Sequence, residues 1–421
     1  MNLYLTLTIL ITISAAFAYI NHRFIKMPFV IGLFFLSTLL SLVIISSKSW
    51  DNAHYAEIKE VIQHTDISRY ILEIMLGFLL FAGSFHTHWL DIRKQIKPIT
   101  LFAVGGVLCS TVIIAGLLYL VCGLLEVPVG FIHCLIFGAL ISPTDPIAVL
   151  GILTKANVSK KIESTIVGES LFNDGVGVVV FIALLETLQL GNTQIDFSHF
   201  GLLFLQEAIG GGIFGLALGF VLHKLLKSID NYETEVLLTI AFVMSGYMLC
   251  SFFHLSGALA MVIMGLFIGN YKRTAAMSDK TLEYVHKFWE LLDVILNAIL
   301  FILIAFVLVV IEFKTSYIII SLISVLIVLL SRVIVVYLPN YFLPRFTDIS
   351  RQEARIIVWG GLRGGLSIAL VLSLPESDAK DLLVMATYAC VVFSILVQGL
   401  TIEKLARRNQ APGSKEDKKV H

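Results

Sequence analysis

Gly168-Glu169-Ser170-Leu171-Phe172-Asn173-Asp174-Gly175 lies inside an apolar segment, 163–188, long enough to cross a lipid bilayer. Three ionisable or strongly polar groups, Glu169, Asn173 and Asp174, fall within six residues there, with Ser170 among them. A carboxylate at membrane depth costs about 3 kcal/mol on insertion scales unless it is paired, hydrated or protonated, so it marks a functional site by default. Ser170 and Asp174 are four apart and share a helix face, and the same holds for Glu169 and Asn173.

The rest of the chain has the composition this stretch demands. Of 421 residues, 57% are hydrophobic and 14% charged, with a mean hydropathy of +0.91; a soluble domain carries about 25% charged residues. Apolar runs of about 20 residues recur from one end to the other, the pattern of an all-α polytopic membrane protein in contact with lipid. Thirteen spans are predicted, at 3–20, 27–46, 69–89, 97–122, 127–154, 163–188, 199–225, 234–252, 255–270, 284–312, 316–338, 352–374 and 379–404. A longer polar segment, 47–68, separates the second from the third. The first span has no basic n-region and reads as retained rather than cleaved. The five cysteines all fall in apolar runs without metal-ligand spacing and read as small core residues. Net charge is zero, which gives no sign of a nucleic-acid partner.

Orientation follows from Lys and Arg. With the connections numbered alternately, one side collects 22 of the 30 and the other 5, while Lys287, Arg332 and Arg363 lie within spans. The N-terminus is therefore expected outside and the C-terminus, with a polar tail over 406–421, in the cytoplasm.

Two spans are interrupted near their middles. The fifth contains Ser142-Pro143-Thr144-Asp145-Pro146. Each proline lacks an N–H and drives its predecessor out of helical geometry, and Asp145 before Pro146 also reads as an N-cap and a first helical position. The twelfth contains Gly360-Gly361-Leu362-Arg363-Gly364-Gly365. Spans 4–6 start inside and spans 11–13 outside. Two three-helix units of opposite orientation, each with a discontinuous middle helix, fit the inverted repeats of secondary transporters. Half-helix ends carry partial charges, carbonyl ends negative and N–H ends positive. Carbonyls around Thr144 are expected to ligate a small cation, and Asp145 and Arg363 to balance the helix ends and each other. Asp174 lies eleven residues along its span, about 16 Å deep, level with both breaks. Asp174, Asp145, Ser170 and Thr144 thus form an all-oxygen cluster suited to a hard cation such as Na⁺. Loss of water penalises the charged form of Asp174, so a proton can compete with the cation for it.

These three motifs together resemble the monovalent cation:proton antiporters of the CPA1 group, which includes bacterial sodium/proton antiporters of the NhaP type and animal sodium/hydrogen exchangers. His254-Leu255-Ser256-Gly257-Ala258-Leu259-Ala260 is similar to that family's motif in the ninth span, and the likeness covers about residues 5–405. The resemblance implies thirteen helices, a core of spans 97–188 and 316–404 with crossed unwound helices, a dimerisation scaffold of the other spans, a homodimer, and no cofactor beyond the transported Na⁺ and H⁺. It implies that Asp174 binds the ion and proton, that Asn173-Asp174 is the electroneutral Asn-Asp pair, and that Thr144, Asp145 and Ser170 coordinate the ion. Some members carry a carboxylate directly after a Leu-Leu-Phe triplet; here Leu79-Leu80-Phe81 is followed by Ala82, and Glu73 lies nine residues earlier, near the outer surface. The large regulatory domain of animal exchangers is missing from the pattern, which points to a bacterial-type inner-membrane protein.

Other residues leave alternatives open. Asp145 is either a helix cap or an ion contact. Asn173 reads more as a support of the break than as a ligand. Glu169 needs a basic partner. It lies about 9 Å from the cytoplasmic end of its helix, a depth matching Arg332, with the deeper Arg363 as the alternative. Arg332 could instead snorkel to the surface. Glu290, Asp293 and Asn297 share one face of span 10, either lining a cation funnel or pairing with Lys287. His86, His88, His133 and His254 are either pH sensors or interfacial. The leading function is antiport of Na⁺, or of Li⁺ or K⁺, against H⁺ by alternating access, one for one and electroneutral, serving pH and sodium homeostasis. A cation channel built on the same site is the second reading. An intramembrane aspartyl protease using Asp145 and Asp174 is the third.

Overall fold

Inside lipid a backbone can satisfy its own polar groups only as a helix or a closed barrel. The computed structural model takes the first course. It describes residues 3–63, 67–145, 153, 158–189, 197–270, 279–311 and 313–408, and no strand occurs among them.

The elements follow the apolar runs: α1 (Leu3–Ile20), α2 (Phe29–Ser47), α3 (Asn52–Gln63), α4 (Ile67–Phe85), α5 (Ile96–Leu124) and α6 (Phe131–Ile141). Next come α7 (Lys160–Gln189), α8 (Phe197–Lys227), α9 (Tyr232–Phe252), α10 (Gly257–Asn270), α11 (Asp279–Val310) and α12 (Thr315–Phe342). The last are α13 (Arg351–Trp359), α14 (Gly365–Leu372) and α15 (Asp378–Arg407). Ten of these are long and apolar enough to cross a membrane; α6 and α10 are shorter apolar helices. Each predicted span contains helical structure among the described residues, the fifth over Phe131–Ile141. The polar segment after the second span also carries one, α3, which packs on α2 and α11 and anchors through Tyr55 Oη donating to Val309 O at 3.2 Å.

Both predicted breaks are present. α6 stops at Ile141, and Pro143, Thr144 and Asp145 are not helical. The expected second half of that span, with Asp145 as its N-cap, lies outside the described residues. In the twelfth span α13 and α14 flank a non-helical stretch from Gly360 to Gly364. The start of α13 is fixed by a capping box: the Ser350 hydroxyl accepts from Glu353 N and the Glu353 carboxylate accepts from Ser350 N. The polar tail beyond Arg408 lies outside the described residues.

Buried apolar side chains form two clusters. One is centred on α5, α6, α12, α14 and α15, around Phe137, Ile141, Ile368 and Leu383. The other joins α4, α9, α10 and the first turns of α11, around Phe81, Met261 and Trp289, whose rings from Phe81 and Trp289 lie 4.6 Å apart. α11 belongs to both, giving Trp289 to the second and Leu300 to Ile304 to the first. α7 packs between them, on α6 and α5 to one side and on α10 and α4 to the other. The four cysteines Cys122, Cys134, Cys250 and Cys390 are buried as expected, whereas Cys109 is exposed on the outer face of α5; all are free.

Candidate ion-binding site

The two breaks meet. Asp145 N donates to Leu362 O at 2.8 Å, so the irregular backbone of one span is held by that of the other. Such contact answers the physical demand on non-helical backbone at membrane depth, which must be buried in protein or face a water-filled cavity. Gly364 makes the approach possible: a Cβ there would sit 2.3 Å from Asp145 Oδ2, far inside van der Waals contact.

Each broken helix leaves a ring of carbonyls without donors, and an arginine supplies them at each break. Arg363 donates from one nitrogen to Ser142 O and to Pro143 O, the latter at 2.9 Å, closing the carbonyl end of α6. Arg332 donates to Ile357 O at 3.1 Å near the end of α13, and Gln398 Nε2 donates to Trp359 O at 3.2 Å. Positive charge at a helix carbonyl end is also favourable for the dipole. Of the carbonyls around Thr144, those of Ser142 and Pro143 each accept from Arg363.

Glu169 and Arg332 form a fork-to-fork ion pair, with both Arg332 terminal nitrogens on the Glu169 carboxylate and the second contact at 3.0 Å. Depth along the helices had favoured this partner over Arg363, and the snorkelling alternative fails because Arg332 is buried. The guanidinium passes over Gly361, where a Cβ would lie 2.6 Å from Arg332 Nε.

One turn further along the same face of α7, Asn173 grips Thr144. Its Oδ1 accepts from Thr144 N at 3.3 Å and its Nδ2 donates to Thr144 Oγ1 at 2.9 Å. Thr144 Oγ1 and Ser170 Oγ are 3.1 Å apart. Asn173 therefore supports the break, and the two hydroxyl oxygens are set side by side and neutral. Asp174 stands apart from this network. It lies deep in the fold yet keeps partial access, and no donor or cation among the described residues touches its carboxylate. Asp145, also half-buried, is near enough for the two carboxylates to repel. The structure thus sets Thr144 beside Ser170 and Asp145 near Asp174, while Asn173 bonds Thr144, Glu169 pairs with Arg332, and Arg363 bonds the backbone of the break.

Glu73 is not brought into the cluster. Its side chain is 62% exposed and binds Arg69 at 2.9 Å. Asn297 is buried on α11 and donates to Asp293 Oδ1 at 3.0 Å. Lys287 binds Glu283 at 2.6 Å rather than Asp293. Of the histidines, His86 meets His286, with their Nδ1 atoms 3.1 Å apart. Gln398 is the structural residue that the sequence reading missed; a buried amide inside an apolar span was the available signal.

The sodium/hydrogen exchanger transmembrane family matches residues 11–408. The chain belongs to that family. A Na(+)/H(+) antiporter NhaP of Pseudomonas aeruginosa is 45% identical over 404 residues, covering 94% of this chain and 95% of its own length. A Na(+)/H(+) antiporter NhaH of Halobacillus dabanensis is 35% identical over 364 residues, covering 85% and 86%. Among solved structures, the sodium proton antiporter MjNhaP1 of Methanocaldococcus jannaschii at pH 8 superposes with a TM-score of 0.74 at 21% identity, over 96% of this chain and 99% of that one. That likeness establishes a shared exchanger fold. In this sodium/hydrogen exchanger, then, the crossed breaks lie within the residues that the family covers.

Proposed function

We propose that the chain exchanges Na⁺ for H⁺ across a membrane, one for one, by alternating access. The observation that carries this reading is the Asp174 carboxylate, deep in the fold, reachable, and without a donor among the described residues, beside neutral hydroxyl oxygens and an internally paired Glu169–Arg332. A bare carboxylate is costly to move through a low-dielectric barrier. Either a proton or a Na⁺ removes its charge, and both loaded forms then carry the same net charge. The barrier therefore passes the two loaded forms and blocks the empty one, which couples the two fluxes and makes the exchange indifferent to voltage. Asp145, Thr144 and Ser170 supply further oxygens to the dehydrated ion.

In this reading the bundle of α5–α7 and α12–α15 moves against a dimeric scaffold of the remaining helices, in a bacterial-type inner membrane. The N-terminus is outside and the C-terminus cytoplasmic, as the Lys and Arg distribution favours. The relatives are named as antiporters, and no observation favours the channel or protease readings.

The test is reconstitution in liposomes with a trapped pH dye. A Na⁺ gradient, then a K⁺ gradient, is imposed, with and without a K⁺/valinomycin clamp in the Na⁺ assay. Cation-driven proton movement, unaffected by the clamp and abolished in Asp174→Asn, is the expected result. Flux that survives in Asp174→Asn would overturn the site assignment, and Na⁺ movement uncoupled from protons would indicate a channel.

A further inference from the structure

The exchange reaction leaves unused a polar pair on α11. Asp293 and Asn297 lie one helical turn apart. Asn297 Nδ2 donates to Asp293 O at 2.8 Å and to Asp293 Oδ1 at 3.0 Å, so the amide is oriented. Its nitrogen is thus committed to Asp293, and Asn297 Oδ1 has no hydrogen-bond partner among the described residues although the residue is only 1% exposed. A buried acceptor left without a donor is destabilising and is kept where it has a partner to receive. Asp293 is half-buried and has no basic partner among the described residues, since Lys287 is engaged by Glu283.

The position of the pair links it to the ion cluster. Asn297, Leu300 and Ile304 follow one stripe of α11. Leu300 and Ile304 close on Gly365, where a Cβ would meet their Cδ1 atoms at 2.6 and 2.8 Å. The adjoining Gly364 is the residue on which the Asp145 carboxylate rests. Asn297 therefore sits one turn from the wall of the break, and Asp293 one turn beyond it toward the start of α11, about 10 Å along the helix from Leu300. Asp145 and Asp293 lie close enough to interact electrostatically.

We propose that Asp293 and Asn297 form a second, transient subsite for a monovalent cation, which holds the ion by one carboxylate oxygen and Asn297 Oδ1 before it reaches Asp145 and Asp174. A hard cation prefers such neutral and anionic oxygens, and the oriented amide supplies the neutral one without rearrangement. The subsite rests on the Na⁺/H⁺ reading and adds the step that delivers the ion. Because delivery precedes the shared carboxylate, its loss weakens capture without slowing the loaded step.

The experiment measures Na⁺-driven proton movement in liposomes for the wild type, Asp293→Asn, Asn297→Ala, Asp293→Glu and Asp174→Asn. Asp293→Asn and Asn297→Ala are each expected to raise the apparent KM for Na⁺ about fivefold with the maximal rate held within about twofold, while Asp293→Glu stays near wild type. In purified Asp174→Asn, the Na⁺ resonance in solution should still broaden on binding, and adding Asp293→Asn should remove that broadening; this second readout holds if Asn297→Ala does not fold. An unchanged KM, a fall in rate at constant KM, or an effect of Asp293→Asn alone without Asn297→Ala would overturn the subsite in favour of packing or a simple surface charge. Failure of the underlying exchange reading is distinct, because the wild type itself would then show no coupled flux.

Discussion

At the scale of single residues, the most exacting requirement is the pairing of Glu169 with Arg332. Two charges taken out of water are tolerable only with good geometry, and removing one partner strands the other, at a cost of about 3–5 kcal/mol. Glu169→Gln should therefore lower the melting midpoint in detergent by more than about 5 °C and reduce the yield of folded protein. Glu169→Gln combined with Arg332→Gln should recover part of that loss, because no unpaired charge remains. Measured midpoints for the two single variants and the double variant give the coupling directly, and additive losses would show that the pair does not act as one unit. Gly364 makes a different prediction. A methyl there would meet Asp145 Oδ2 at 2.3 Å and push the carboxylate off the break. Gly364→Ala should cut exchange at least about tenfold, about 1.4 kcal/mol or more of lost site geometry, with a smaller effect on the melting midpoint than Glu169→Gln. Initial rates of Na⁺-driven proton movement and thermal unfolding of the same preparation check both halves of that statement.

At the scale of elements, the broken helices depend on side chains that reach across to their carbonyl ends. Arg363 closes α6, and Gln398 closes α13 with Arg332. Gln398→Leu removes a neutral donor to a buried carbonyl, worth about 1–3 kcal/mol. It should leave a folded protein with slowed exchange, and Gln398→Glu, which places an acceptor against the Trp359 carbonyl, should be worse than leucine in both stability and rate. The breaks were legible because their causes are local: Pro143 and the glycines from Gly360 to Gly365 cannot continue a helix whatever surrounds them. The Glu169–Arg332 pair was legible because helical rise converts residue number into depth, and two buried charges at one depth seek each other. What the sequence did not disclose depended on lateral distance. Nothing in the spacing says that Arg363 turns to the carbonyls of Ser142 and Pro143, that Gln398 lies over Trp359, or that Lys287 prefers Glu283 to Asp293. Glu73 lay near the surface by the same depth count that placed Glu169, and its exposed contact with Arg69 agrees with that count.

At the scale of the whole molecule, alternating access requires that some interfaces slide while others stay fixed, and two helix contacts separate these cases. α7 meets α10 where Gly175 faces Leu259; a Cβ on Gly175 would fall 2.4 Å from Leu259 Cδ2 and 3.5 Å from the Leu259 backbone N. α5 meets α12 where Ser110 Oγ and Ser331 Oγ are 2.9 Å apart, with both helices inside the bundle proposed to move as one body. Paired cysteines at Gly175 and Leu259 should, once oxidised, arrest exchange, and a membrane-permeant reductant should restore it, because the disulfide's short reach cannot follow a sliding of several ångströms. Paired cysteines at Ser110 and Ser331 should cross-link as readily and leave the rate within about twofold of the reduced protein, since no relative motion is asked of that contact. The native thiols interfere little: four are buried, and the exposed Cys109 can be replaced by serine. Arrest by both cross-links would mean that α5 and α12 also move past each other, so the bundle is not one body. Arrest by neither would place the sliding surface elsewhere than between α7 and α10. The same preparation tests the shared carboxylate from outside the fold. If one group holds either ion, raising the proton concentration should raise the apparent KM for Na⁺ and leave the maximal rate at saturating Na⁺ unchanged. Protons acting at a separate site would lower that maximum instead.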